Sequence, residues 1–263
     1  MSHAPDASKP SWLSLAGVGL AGGLFAGVFG VGGGLIMVPL LLWWAKLDQR
    51  RAHATSLLAI TPIALIGGVS YAVGGVFAWL PAIFVAIGGI VGAPLGAWLL
   101  RRIPVGLLRW GFIAFLIATG VMLLIELPDR SAVLEITLAS AAILLGLGLA
   151  MGLSAGLFGI GGGVIVIPVL MLFFGQSDLV AKSISLLAMA PGAISGSVAH
   201  LRHKSATLRD GAWVAAGSLV TTPLGAAIAF LLSPRLAALL FGTLMFVVAA
   251  NLIVRAIGQR GKN

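Results

Sequence analysis

Two blocks of this chain carry residue types that can hold an anion without a charged side chain. Phe29–Gly34 reads FGVGGG and Phe158–Gly163 reads FGIGGG. Consecutive glycines interrupt a helix, because each costs roughly 1 kcal/mol relative to alanine. The interruption leaves backbone N–H groups unpaired, and the helix that follows points its positive end at the break. Together these form an anion site. Gly32, Gly33, Gly34, Gly161, Gly162 and Gly163 are the candidate backbone contacts. Packing is the competing role, since small residues let membrane helices approach closely. Neither block ends in the GK[ST] of a soluble phosphate-binding loop.

Hydroxyls follow each block. Thr55 and Ser56, and their counterparts Ser183 and Ser185, stand near the expected start of the next apolar span. There they either donate to an anion's oxygens or cap the helix. His200 and Tyr71 occupy equivalent positions near the ends of these spans. Histidine titrates near neutrality, so His200 is a candidate proton relay, with an interfacial loop residue as the alternative. His53 and Lys182 are also equivalent and are expected at the membrane interface, where they would draw anions to the mouth. Pro39/Pro168, Pro62/Pro191 and Pro94/Pro223 recur, each removing a helix hydrogen bond, and either serve as hinges or simply set the static shape of the spans.

Catalytic chemistry has no foothold. There is no cysteine, the four histidines are scattered without metal-ligand spacing, and no cofactor motif appears. The expected spans hold no Asp or Glu apart from Glu126 and Glu135 at their edges. Coupling would then use backbone carbonyls, histidine or the substrate's own proton, or transport would run uncoupled.

The two blocks belong to a duplication with an offset of 158 − 29 = 129 positions. Without a gap it pairs Gly19-Leu20-Ala21 with Gly148-Leu149-Ala150, Ser56-Leu57-Leu58 with Ser185-Leu186-Leu187, and Pro94-Leu95-Gly96-Ala97 with Pro223-Leu224-Gly225-Ala226. From Gly19 to Pro39 about two-thirds of the aligned positions are identical. Hydrophobic residues make up 60% of the chain and charged ones 9%, and the mean hydropathy is +1.13. That composition, in long apolar runs, describes a polytopic helical membrane protein. The uncharged run from Trp12 to Ala45 is 34 residues long, about 51 Å as one helix, too long for a single crossing. A break at FGVGGG is expected to give segments 12–29 and 35–45, with twins near 133–157 and 164–174. Three further spans are expected in each half: 54–77, 79–100 and 106–126, then 181–201, 211–232 and 236–255. Because the glycine pattern of the first segment recurs inside the chain, that segment is read as part of the mature fold and not as a signal peptide.

Charge sets the orientation. The net charge of +9 sits in short clusters between spans, at Lys46/Arg50/Arg51, Arg101/Arg102/Arg109, Arg202/Lys204/Arg209 and Arg255/Arg260/Lys262. That is the pattern of cytoplasmic loops and not of a nucleic-acid surface. Keeping all of them on one side requires each glycine break to turn the chain back as a hairpin, which makes the two halves inverted. Arg235 is the discordant charge. The expected organisation is a cytoplasmic tail at 1–11, a first repeat at 12–127, a linker at 128–132, a second repeat at 133–256 and a cytoplasmic tail at 257–263. Each repeat is a glycine-broken hairpin plus three spans.

These residues, FGVGGG…P at 29–39 with AHATSLL at 52–58, and FGIGGG…P at 158–168 with AKSISLL at 181–187, resemble the TauE/SafE family of membrane transporters. GAPLGA at 92–97 and TPLGA at 222–226 resemble that family's third-span signature. The resemblance runs from about residue 15 to 255. It implies export or uptake of small sulfur-containing anions, such as sulfite, sulfoacetate or other organosulfonates, across the bacterial inner membrane. The residue types and charge distribution add the expectations of no enzyme activity, no cofactor and no nucleic acid, and the protein is expected to work as a monomer or homodimer in the lipid bilayer. Ala54-Thr55-Ser56 becomes Ser183-Ile184-Ser185 in the second copy, so the half-sites differ chemically. A channel of the same fold, without alternating access, is the alternative. A channel would show no trans-stimulation in counterflow.

Overall fold

The computed structural model describes residues 10–99, 105–125, 136–158, 162–202 and 206–260. Those residues form ten helices and no strand. In chain order they are α1 (Trp12–Phe29), α2 (Gly34–Trp43), α3 (Gln49–Val73), α4 (Trp79–Leu99), α5 (Val105–Ile125), α6 (Leu138–Phe158), α7 (Gly163–Phe173), α8 (Asp178–Arg202), α9 (Leu208–Leu231) and α10 (Pro234–Arg260). Six of them are long and apolar enough to cross a membrane, while α2 and α7 are short apolar helices. Large apolar side chains such as Val73, Leu138 and Val220 face outward, as expected of a multi-pass protein solvated by lipid.

Both expected glycine breaks are present, and both are hairpins. Met37 of α2 packs on Gly22 of α1, and Trp44 beyond α2 packs on Gly17, so α2 runs back along α1. In the second half Gly162 lies against Met151, the pair equivalent to Gly33 and Gly22.

Helix pairing across the halves has the symmetry of the sequence. The first helix of each half packs on the fourth helix of the other, α1 on α9 and α6 on α4. These pairs run parallel. Gly19, Gly23 and Gly27 meet the backbone of α9 around Val214, Ser218 and Thr222 in ascending order. The backbones touch because no Cβ intervenes, which is how small-residue stripes join membrane helices. The equivalent helices α3 and α8 cross antiparallel. Gly67 and Gly68 meet Leu186 and Leu187, while Ser197 donates to Leu57 O at 3.1 Å. α5 and α10 are antiparallel as well, with Gly120 on Met245 and Gly242 on Leu124.

Chain order and these directions gather the start of α1, the α2–α3 loop, the end of α8, the start of α9 and the end of α10 at one end of the bundle. Trp12 and Trp213 face each other there at 5.4 Å. Arg51 grips Asp210 there, with Nη2 at 2.6 Å and Nε at 3.2 Å from the same carboxylate oxygen. Lys46, Arg50, Arg202 and Arg209 fall at this basic end by their places in the chain. Arg235 stands exposed at the other end. The linker at 126–135, Arg101, Arg102 and Lys204 lie outside the described residues.

Two expectations need correction. α3 begins at Gln49, not at residue 54, because Asp48 caps it by accepting from Arg51 N–H at 3.0 Å. α8 begins at Asp178, with Ser177 Oγ accepting from Val180 N–H at 3.2 Å. Cap residues that sequence reading assigns to loops therefore pull an extra turn into each helix. The second correction follows from the first: the helices do contain acids, Asp178 in the first turn of α8 and Asp210 in that of α9, and both are buried and ion-paired.

Candidate functional site

In the first half α1 ends with Gly30 as a left-handed C-cap at φ 72°, its N–H bonded to Ala26 O. Gly32 and Gly33 also hold positive φ, at 76° and 72°, a region that side-chain-bearing residues enter at a cost of about 1–2 kcal/mol. Gly33 is the N-cap of α2 and Gly34 its first residue. In the second half Gly162 is the N-cap of α7 with an ordinary φ of −76°, and Gly163 is its first residue. There it is space that demands glycine, since a Cβ at Gly162 would run into Met151. Gly161 lies outside the described residues.

The helix starts differ in a way that matters for anions. α1, α3 and α9 are capped by the side chains of Ser11, Asp48 and Thr207. α2 and α7 have glycine N-caps and no side-chain cap bond, so no side chain competes at their first turns, where Ile36 and Ile165 N–H bond back to the Gly33 and Gly162 carbonyls.

The two breaks meet. A Cβ placed on Gly163 would stand 2.6 Å from Ser185 Oγ, 2.8 Å from Val31 Cα and 2.9 Å from Gly30 O. Ser185 Oγ in turn donates to Gly30 O at 2.8 Å. The start of α7, the first break and the hydroxyl of α8 thus share one point deep between the halves.

The other candidate residues divide. Thr55 and Ser56 lie well inside α3, fully buried, and among the described residues neither hydroxyl has a hydrogen-bond partner. Helix capping is therefore not their role. A buried hydroxyl without a partner costs about 1–3 kcal/mol, which an anion's oxygens would offset. Ser183 points elsewhere, its Oγ donating to Val76 O in the α3–α4 loop at 3.1 Å. His200 is in α8, but its side chain lies outside the described residues. Tyr71, its counterpart, is buried with its hydroxyl on Gly27 O at 2.7 Å, a brace between α3 and α1.

Lys182 overturns its expected interfacial place. Its side chain is 2% exposed, its Nζ lies 2.9 Å from Asp178 Oδ2 (itself 1% exposed), and its Cβ and Cγ press on Gly30. Sequence reading missed this pair because it ended the preceding loop at residue 180. The signal was present all the same: Asp178, Lys182 and Ser185 fall at i, i+4 and i+7, one stripe of a helix, once Ser177 is taken as the cap.

The profile of the family described as "Sulfite exporter TauE/SafE" matches residues 2–123 and 144–263. The probable membrane transporter protein YunE of Bacillus subtilis is 25% identical over 214 residues, covering 73% of this chain and 78% of that protein. A probable membrane transporter protein of Xylella fastidiosa is 26% identical over 243 residues, covering 89% and 92%. The probable membrane transporter protein MJ0441 of Methanocaldococcus jannaschii is 26% identical over 196 residues, covering 70% of each.

Proposed function

This chain belongs to the sulfite exporter TauE/SafE family of membrane transporters, and from that premise we propose that it is a secondary transporter of small sulfur-containing anions. Sulfite, sulfoacetate and related organosulfonates are the substrate class. The anion is held between two inverted repeats, 12–127 and 133–256, in the bacterial inner membrane. Both termini and the basic end of the bundle face the cytoplasm. The working unit is a monomer or homodimer.

The observation that carries this reading is the meeting of the breaks, where Gly163 at the uncapped start of α7 abuts Gly30 and Val31. Two helices direct their positive dipole ends at the breaks with no side-chain cap in competition, which suits an anion. Broken helices at a repeat interface are a recurring way for transporters to build substrate sites. The unpartnered Thr55 and Ser56 add donors on α3, and Ser185 adds one on α8. Antiparallel packing of α3 with α8 and of α5 with α10 supports the inverted arrangement, since equivalent helices related by an axis in the membrane plane run in opposite directions.

A panel of sulfite, sulfate, thiosulfate and organosulfonates in proteoliposomes tests the substrate class. Counterflow of labelled sulfite accelerated by substrate on the opposite side is the expected outcome, and flux without trans-stimulation would mean a channel. Reporter fusions at Arg51, Arg102, Lys204 and the C-terminus should report cytoplasm, and one near Asp129 periplasm. A periplasmic C-terminus would overturn the inverted topology.

A further inference from the structure

Within the transport reading just given, and resting on it, we propose that the Asp178–Lys182 pair is the charge-exchange element of the path: Lys182 leaves Asp178 to hold the translocated anion, and Asp178 takes up the proton that travels with it. The pair stands where such an exchange has to occur. Asp178, Lys182 and Ser185 form one stripe of α8. Ser185 reaches Gly30 O at 2.8 Å, and the Lys182 stem lies against the same glycine. The ammonium, on a flexible four-carbon stem, is thus tethered beside the point where the two breaks meet.

Electrostatics gives the reason for a pair in place of a lone lysine. A lone buried ammonium, or a bare anion added to a neutral pair, places a net charge in a low-dielectric interior at a prohibitive cost. In the empty protein the Asp178 carboxylate neutralises Lys182. When a monovalent anion (hydrogensulfite in the case of sulfite) binds Lys182 and one proton binds Asp178, the buried region is again neutral. One anion and one proton therefore move together, and neither state buries a net charge. Asp178 is an internal stand-in for the substrate.

Among the described residues, the titratable groups around the pair leave the proton to Asp178. From α3 the titratable side chain facing it is Tyr71, whose hydroxyl is committed to Gly27 O. α4 and α7, both packed on α8, carry no titratable residue. On α9, Arg209 and Asp210 are at the opposite end of the bundle, and Asp210 is held by Arg51. Arg235 of α10 is exposed. The stripe is also unique to one half, because its counterpart on α3 reads Gln49, His53 and Ser56, with no acid.

A buried pair that only stabilises the fold is usually replaceable by apolar residues without loss, and this separates the two roles. The full chain in proteoliposomes, with radiolabelled sulfite, a trapped pH dye and both sides kept acidic enough that sulfite stays monovalent hydrogensulfite, is the assay. Wild-type protein should move one proton per sulfite. Lys182→Met should cut sulfite flux at least tenfold, with partial rescue in Lys182→Arg. Asp178→Asn should keep sulfite exchange but lose the accompanying proton. The double variant Asp178→Leu/Lys182→Met should insert and fold yet remain inactive, which covers the case of single variants that fail to fold. Normal flux in Lys182→Met or in the double variant, or proton movement with sulfite in Asp178→Asn, overturns the proposal alone. Wild-type protein that moves none of the panel anions overturns the transport reading and this inference with it.

Discussion

The entrance to α3 and the entrance to α8 descend from the same sequence and have become opposites. In the first half Trp44, Lys46, Asp48 and Gln49 are exposed, and the helix they lead into buries two hydroxyls that have no partner among the described residues. In the second half Gln176, Ser177, Asp178 and Lys182 are all buried, and Ser183 and Ser185 both have acceptors. The glycines have diverged too: neither Gly33 nor Gly162 leaves room for a Cβ, but Gly33 also holds a positive φ and Gly162 does not. Duplication supplies a symmetric frame. On that frame a few substitutions, Gln49 against Asp178 and His53 against Lys182, make the two entrances chemically different.

The strongest way to break this comparison is at the glycines. Gly33→Leu and Gly162→Leu should each abolish sulfite flux. Gly33→Leu should also lose more thermal stability, by about 1–2 kcal/mol for the left-handed conformation. Equal melting losses would mean that the φ difference between the breaks has no consequence.

Next in size is the Arg51–Asp210 grip, which has no counterpart because the equivalent positions are Val180 and Pro81. Arg51→Ala leaves a buried carboxylate without its charged partner and should cost about 1.5–3 kcal/mol, read as a lower melting temperature in detergent. An unchanged melting temperature would show that this end of the bundle is held by packing alone.

The serines sharpen the contrast at smaller scale. Ser185→Ala removes a bond to Gly30 O and should destabilise the fold by about 0.5–1.5 kcal/mol. Ser56→Ala removes no bond seen within the protein, so the fold should be unharmed while sulfite affinity falls about tenfold, equivalent to about 1.4 kcal/mol. Calorimetry showing normal affinity in Ser56→Ala would remove α3 from the site. The smallest effect is expected at the equivalent pair Gly17 and Gly146. A Cβ at Gly146 meets open space, whereas at Gly17 it meets the Trp44 ring. Gly146→Ala should stabilise by roughly 0.5–1 kcal/mol, and Gly17→Ala should do the reverse.

Much of the fold was legible beforehand. The breaks at FGVGGG and FGIGGG, the hairpins they make and the ten helices followed from composition, glycine clustering and loop charge. The helix starts at Gln49 and Asp178 did not follow, because a single cap residue outweighs the hydropathy of the turn after it. Of the candidate residues, Gly163 and Ser185 meet at Gly30, a contact that spacing along the chain did not announce, while Lys182 was misplaced. Its charge reads as interfacial until Asp178 is known to be buried with it.

The sequence by itself determined that this chain lives in a bilayer, that it is built twice and where each unit breaks. Those properties rest on local free energies: the transfer of apolar runs into lipid, the cost of glycine in a helix and the preference of basic loops for one side. Tertiary structure alone decided which of two equivalent residues is exposed and which is buried. Lys182 is sealed against Gly30, 152 positions away (182 − 30), and Ser185 finds its acceptor on that same glycine. Whether a polar group inside a membrane protein is satisfied, orphaned or charged depends on what the far half of the chain packs against it, and no spacing within its own helix encodes that partner.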